Sequence, residues 1–161
     1  MPAAISIDES VQQEIASPRV APSASAPVFD RIARLAAQVF AAPLSAITLV
    51  DSYGYQFKSL GRNGHDSFDD RAFSAYAMSQ KDPFVVLDPL GDARFRNQPL
   101  VTGRAAVRFY IAAPLIGRAG RVIGSLHVAD TKVRLYVLPA QRAALKDLAA
   151  IAVFELEQRS R

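Results

Sequence analysis

Apolar residues recur in steps of three and four from Val28 to Ala42, at Val28, Phe29, Ile32, Leu35, Ala36, Val39 and Phe40. This spacing predicts one face of a helix. Pro27 suits its first turn and Pro43 its end. Beyond it the period changes from helix to strand. Ser45–Asp51 and Tyr55–Leu60 are short β-forming runs around the turn residues Asp51 to Gly54, which predicts a hairpin. A short helix follows over Ala72–Gln80, with Asp69 or Asp70 as its cap. Phe84–Leu87 reads as a brief buried strand. Asp88–Gly103, with two prolines and two glycines, reads as a loop too long for a turn and suited to facing a ligand. Val107–Ile116 and Arg121–Ala129 form a second hairpin around Gly117–Gly120, and Pro139–Gln158 is a long closing helix.

Hairpin-linked strands imply an antiparallel sheet, and helices at both ends of the chain can cover one of its faces. The fold class expected is therefore α+β. Residues 1–26 are rich in Ala, Ser and Pro without a sustained period, and read as a flexible tail before a domain over 27–161.

Composition narrows the chemistry. The chain of 161 residues has no cysteine, which removes disulfides, thiolate metal sites and thiol catalysis. No apolar run approaches the ~20 residues of a membrane span, and the acidic start is unlike a secretory signal. We therefore expect a cytoplasmic protein with no membrane contact. Its 19 Lys and Arg outnumber its 15 Asp and Glu. The basic residues are scattered from Arg19 to Arg161, which argues against nucleic acid as a partner.

Several ordered motifs resemble the GAF domain family of bacterial signalling proteins, over Phe29 to Glu157. They are Ile47–Asp51 followed by Gln56–Ser59, Phe73–Ala77, Asp82–Asp88 leading to Asp92–Phe95, Asn97–Gly103, Arg108–Leu115 and Ile123–Asp130. The resemblance implies a GAF/PAS-like fold: a central antiparallel sheet of about five or six strands, terminal helices on one face, and a pocket roofed by the short helix and long loop on the other. Members bind small ligands or serve as dimerisation and relay modules, usually upstream of kinases, cyclases or transcription regulators. No such output segment is visible here, so a stand-alone module is expected. Two positions depart from the family. Phe73-Ser74-Ala75-Tyr76 stands where relatives often have Phe-Cys-Ala-His, and His127 where many have cysteine. The resemblance therefore excludes the methionine sulfoxide reductase activity of some members and a thioether-linked bilin. The charged motif of the cyclic-nucleotide subset is absent too. No cofactor is named, and no enzyme activity is expected.

In this frame the candidate ligand-binding residues are Phe57, Phe73, Ser74, Tyr76, Asp88, Arg94, Phe95, Arg108 and Tyr110. Ser74 and Tyr76 offer hydroxyls to a polar ligand; alternatively Tyr76 covers a filled interior with its hydroxyl in water. Ser74 has no evident histidine and acid beside it for a hydrolytic triad. Arg108 shares a strand face with Tyr110 and could clamp a carboxylate or phosphate, or instead pair with Asp88 or Asp92. Phe57 and Phe73 would wall a pocket or an ordinary core. Asp88, Arg94 and Phe95 would face the ligand, or merely pin the loop. His127 is expected half-buried, and His65 with Asp66, Asp69 and Asp70 reads as a capped polar loop more readily than a metal site. The closing helix carries more apolar surface than one stripe needs. That surplus predicts a homodimer through the first and last helices, at Phe29, Ile32, Leu148, Ile151, Phe154 and Leu156. Two functions stay open: a small-molecule sensor acting on a signalling partner, and a protein–protein adaptor whose pocket is filled by its own side chains.

Overall fold

A computed structural model describes residues 22–50, 56–62 and 70–159, with side chains over 27–49 and 70–158. The expectations for the tail up to residue 21, for the turn at 51–55 and for His65, Asp66 and Asp69 lie outside these residues. The elements are α1 (Pro22–Val39), β1 (Leu44–Val50), β2 (Gln56–Arg62), α2 (Arg71–Met78), β3 (Phe84–Val86), α3 (Pro99–Thr102), β4 (Phe109–Ile116), β5 (Val122–Asp130) and α4 (Pro139–Arg159).

The strands form one antiparallel five-stranded sheet in the order β2-β1-β5-β4-β3. Both hairpins form, and β1 joins them by pairing with β5, so that Thr48 stands opposite Ser125 and Leu49 opposite Gly124. Strand alternation then divides the sheet into two faces. Ile47, Leu49, Phe109, Ile111, Ala113, Leu115, Leu126 and Val128 point into a core closed by Phe29, Ile32, Ala33, Ala36 and Phe40 of α1 and by Leu145, Ala149, Ala152, Val153 and Leu156 of α4. Tyr110, Ala112 and Ala129 point the other way, into a second core with Phe73 and Ala77 of α2, Phe84, Phe95, Leu100 and Val101. The terminal helices thus cover one face, and α2 with the loop before β4 covers part of the other.

Some boundaries differ from the sequence pattern for clear reasons. The first helix begins at Pro22, ahead of Pro27, which lies inside it. One proline near a helix start removes only one backbone bond. The helix stops before Pro43, because Ala41 takes a left-handed conformation (φ 48°). Ala42 N then donates to Ala37 O at 2.9 Å and Ala41 N to Gln38 O at 3.1 Å, a backbone cap of the Schellman kind. The segment from Asp88 to Gly103 is built of short turns: a 3-10 turn over Pro89–Gly91 and the single helical turn α3. Phe29, Ile32 and Leu156 are 0%, 4% and 4% exposed, since all three are spent on the core between sheet and helices. Ile151 and Phe154 remain outward, at 51% and 59% exposed. Among the described residues no helix is long and apolar enough to cross a membrane.

Candidate functional site

On the face opposite the terminal helices, three buried polar groups meet. Asp70 precedes α2 in the N-cap position, but its side chain makes no capping bond. The carboxylate turns to the sheet instead, where Tyr110 Oη donates to Asp70 Oδ2 at 2.9 Å. His127 Nδ1 lies 3.0 Å from the same oxygen, as an electrostatic contact off the line of a hydrogen bond. The Tyr110 and His127 rings stack with centroids 5.3 Å apart. Tyr110 and Asp70 are 0% exposed and His127 1%, so the histidine is fully buried, not half-buried as its sequence position suggests. Burial, reinforced by the negative charge and hydrogen bond of Asp70, pushes the Tyr110 phenol well above its ordinary pKa.

Beside this trio lie two further polar groups that the sequence pattern does not single out. Thr48 on β1 and Ser125 on β5 are cross-strand partners and are fully buried. Strand alternation puts both on the face of Tyr110 and His127. Neither Thr48 Oγ1 nor Ser125 Oγ has a hydrogen-bond partner. His127 follows two residues after Ser125, yet no hydrogen bond links them.

The other end of this face is aromatic. Phe73 and Phe95 stack at 4.2 Å, Tyr110 packs 4.7 Å from Phe73, and Tyr76 stacks on Phe84 at 5.4 Å. Arg94 closes the group from outside. Its Nε and Nη2 donate to the two oxygens of Asp92 at 3.0 and 2.7 Å. Its guanidinium lies 5.1, 5.3 and 5.0 Å from the Tyr76, Phe84 and Phe95 ring centres, within cation–π range. The Arg94 hydrogen bond holds the Asp92 carboxyl below the usual carboxylate range, against an opposing effect of burial.

The sequence-derived candidates therefore divide. Phe73, Tyr110 and Phe95 come together in the interior, with Tyr76 at its border. Ser74 is buried, and its hydroxyl reaches the Arg71 carbonyl at 3.3 Å. Asp88 pins the loop by accepting from Gly91 N at 3.4 Å. Arg108 pairs with neither Asp88 nor Asp92: its Nη1 donates to the carbonyls of Val101 and Val107 at 2.9 and 3.0 Å, because those backbone acceptors need a donor where α3 meets β4. Phe57 stands opposite Leu49 in the ladder, a register position on the helix-covered face; its side chain lies outside the described ones. A separate cleft of roughly 600 Å³ is lined by Ala41–Pro43 and Asp130–Arg134. Arg134 there is committed to Asp130 at 2.5 Å and to the Phe40 carbonyl at 2.7 Å.

A two-faced antiparallel sheet, with terminal helices on one side and a short helix over a mixed aromatic and polar interior on the other, defines a small α+β module. The family model for the GAF domain matches residues 26–156, and the chain belongs to that family. A cyclic di-GMP phosphodiesterase of Pseudomonas aeruginosa is 36% identical over 108 residues, 66% of this chain. The matched part is 18% of that enzyme's length. Among solved structures, the GAF domain of PixJ from Thermosynechococcus elongatus, in its blue-light absorbing form, superposes with a TM-score of 0.64 at 14% identity, covering 84% of this chain and 86% of that one. Residues 122 to 287 of a methyl-accepting chemotaxis protein give 0.62 at 15%, covering 92% and 96%.

Proposed function

We propose that this chain is a sensory or regulatory module of a signalling system. It would bind a small molecule on the face opposite its terminal helices and pass the change to a partner protein such as a kinase, cyclase or transcription regulator. The carrying observation is the buried polar group of Asp70, Tyr110, His127, Thr48 and Ser125 under α2. A sheet face built only to be filled would hold apolar side chains there, since buried polar groups cost free energy unless paired. Binding would act by population shift: occupancy on one face favours one arrangement of α2 and the Asp88–Gly103 segment, and the shared strands carry that bias to α1 and α4. The module would work in the cytoplasm as a homodimer. It would itself catalyse nothing, having no thiol.

The aromatic half of the same face favours a second reading. Phe73, Phe95 and Tyr110 fill their own space, as an adaptor with an occluded pocket would. Native mass spectrometry of freshly purified protein separates the two. A reproducible extra mass per chain supports the sensor. Bare chains from every preparation, in exchange for retained partner binding, leave the adaptor.

A further inference from the structure

Residues 131–138 join β5 to α4 and turn a row of apolar side chains outward. Leu135 and Tyr136 are 85% and 69% exposed, and Val133 and Leu138 are exposed beside them. Arg134 N donates to Leu87 O at 3.4 Å, which sets this connection against the end of β3. The exposed Leu87 and Leu90 thereby join the same surface. Apolar residues scattered singly over a surface are ordinary, but a cluster of them marks a place of contact. The cleft of roughly 600 Å³ lined by Ala41–Pro43 and Asp130–Arg134 shares Val133 with this patch. A partner's side chain therefore has a recess to enter next to an apolar ledge.

Main chain and charge define the occupant. Along the connection Lys132 N donates to Asp130 Oδ1, Arg134 N to Leu87 O and Leu138 N to Gln141 Oε1. The amides of Leu135, Tyr136 and Val137 find no acceptor among the described residues. An extended peptide meets such amides with its own carbonyls, whereas lipid tails offer them nothing. Lys132 is exposed on the wall of the cleft, and Arg142 stands at the other end of the connection, its N bonded to Leu138 O at 3.1 Å. The acids close by are answered within the chain: Asp130 by Arg134, Asp82 by Lys146 and Asp88 by Gly91 N. The rim of the patch is left positive.

We propose that residues 131–138 and the adjoining cleft dock a short extended segment of a partner protein, apolar at alternate positions and acidic between them. This rests on the sensory reading, to which it adds the surface where the signal leaves. The strand that carries Ser125 and His127 runs directly into this connection, and the connection into α4.

Two synthetic peptides test it, one alternating glutamate with valine, phenylalanine and leucine, the other with lysine in place of each glutamate. Each is titrated into the full chain while backbone amide shifts are followed. The acidic peptide is expected to move Lys132 to Leu138 saturably, with a Kd on the order of 0.1–1 mM, and the basic peptide to bind about tenfold more weakly. Leu135→Ser/Tyr136→Ser should abolish the response without lowering the melting temperature, because both side chains lie outside the core. Lys132→Glu should weaken the acidic peptide about fivefold and favour the basic one. No saturable shift with either peptide overturns the proposal, and so does equal binding of both. Shifts produced by phosphatidylglycerol vesicles and by neither peptide would make the patch a membrane contact instead. A dimeric wild type that Leu135→Ser/Tyr136→Ser converts to a monomer, with no peptide bound, would assign it to a second copy. The sensory reading stands or falls apart from these results, since the variant keeps the buried polar group intact and any extra mass bound there is still found.

Discussion

Tyr110 is the residue on which the buried polar group turns. Its phenol binds its proton more tightly in the folded chain than in the unfolded one, because burial and Asp70 both oppose a phenolate. The stability this contributes is complete below the unfolded value of about 10 and is lost as pH rises through the higher folded value. Tyr110→Phe should cost about 1–3 kcal/mol at pH 8, from the hydrogen bond lost by the buried Asp70. In urea unfolding, the gap between wild type and variant should narrow above pH 10; a gap that stays constant to pH 11 would refute the assignment. Little of this was legible in the sequence. Asp70 reads as a helix cap because local pattern knows only neighbours, and its true partner is forty positions along the chain. Thr48 sits between Ile47 and Leu49, where alternation marks a polar residue as facing water. Only the cover supplied by other segments makes it buried.

At the scale of elements, the two central strands approach more closely than side chains permit. A Cβ at Gly124 would lie 2.0 Å from the Thr48 carbonyl oxygen, a backbone atom that cannot swing away. Gly124→Ala should therefore push β1 from β5 and destabilise the chain by roughly 1–3 kcal/mol, as overpacking does. Calorimetry checks this, and an unchanged melting temperature would contradict it. Most elements are legible, since α1, α4 and the longer strands each span enough residues to show a period. The turns inside Asp88–Gly103 are not, because three or four residues give no repeat to detect. The end of α1 was misplaced for a related reason: Pro43 is a visible stop, whereas the left-handed Ala41 that ends the helix carries no sequence signal.

At the scale of the molecule, the apolar side chains left outside α1 and α4 bear on the proposed dimer. Leu35, Ile151 and Phe154 are 49%, 51% and 59% exposed, on the two helices that already share one core. Ile151→Glu with Phe154→Glu should convert a dimeric mass to a monomeric one in light scattering at micromolar concentration, with little change in the core. A monomeric wild type would sink the dimer. The fold class follows from the pattern of hairpins and terminal helices. The order of strands does not, because nothing local tells β1 that its second neighbour is β5.

That pairing has a consequence for how the chain comes into being. Leu44 is matched with Ala129 and Leu49 with Gly124, so the sheet's middle seam joins the first of the described strands to the fifth. On the ribosome, the first hairpin must wait with one edge open until Val122–Asp130 has been made. Long-range pairing of this kind is slow, and an unpaired edge invites foreign strands. The first hairpin is therefore most exposed to aggregation between the synthesis of β2 and that of β5, and fast synthesis of the residues between them would shorten that interval.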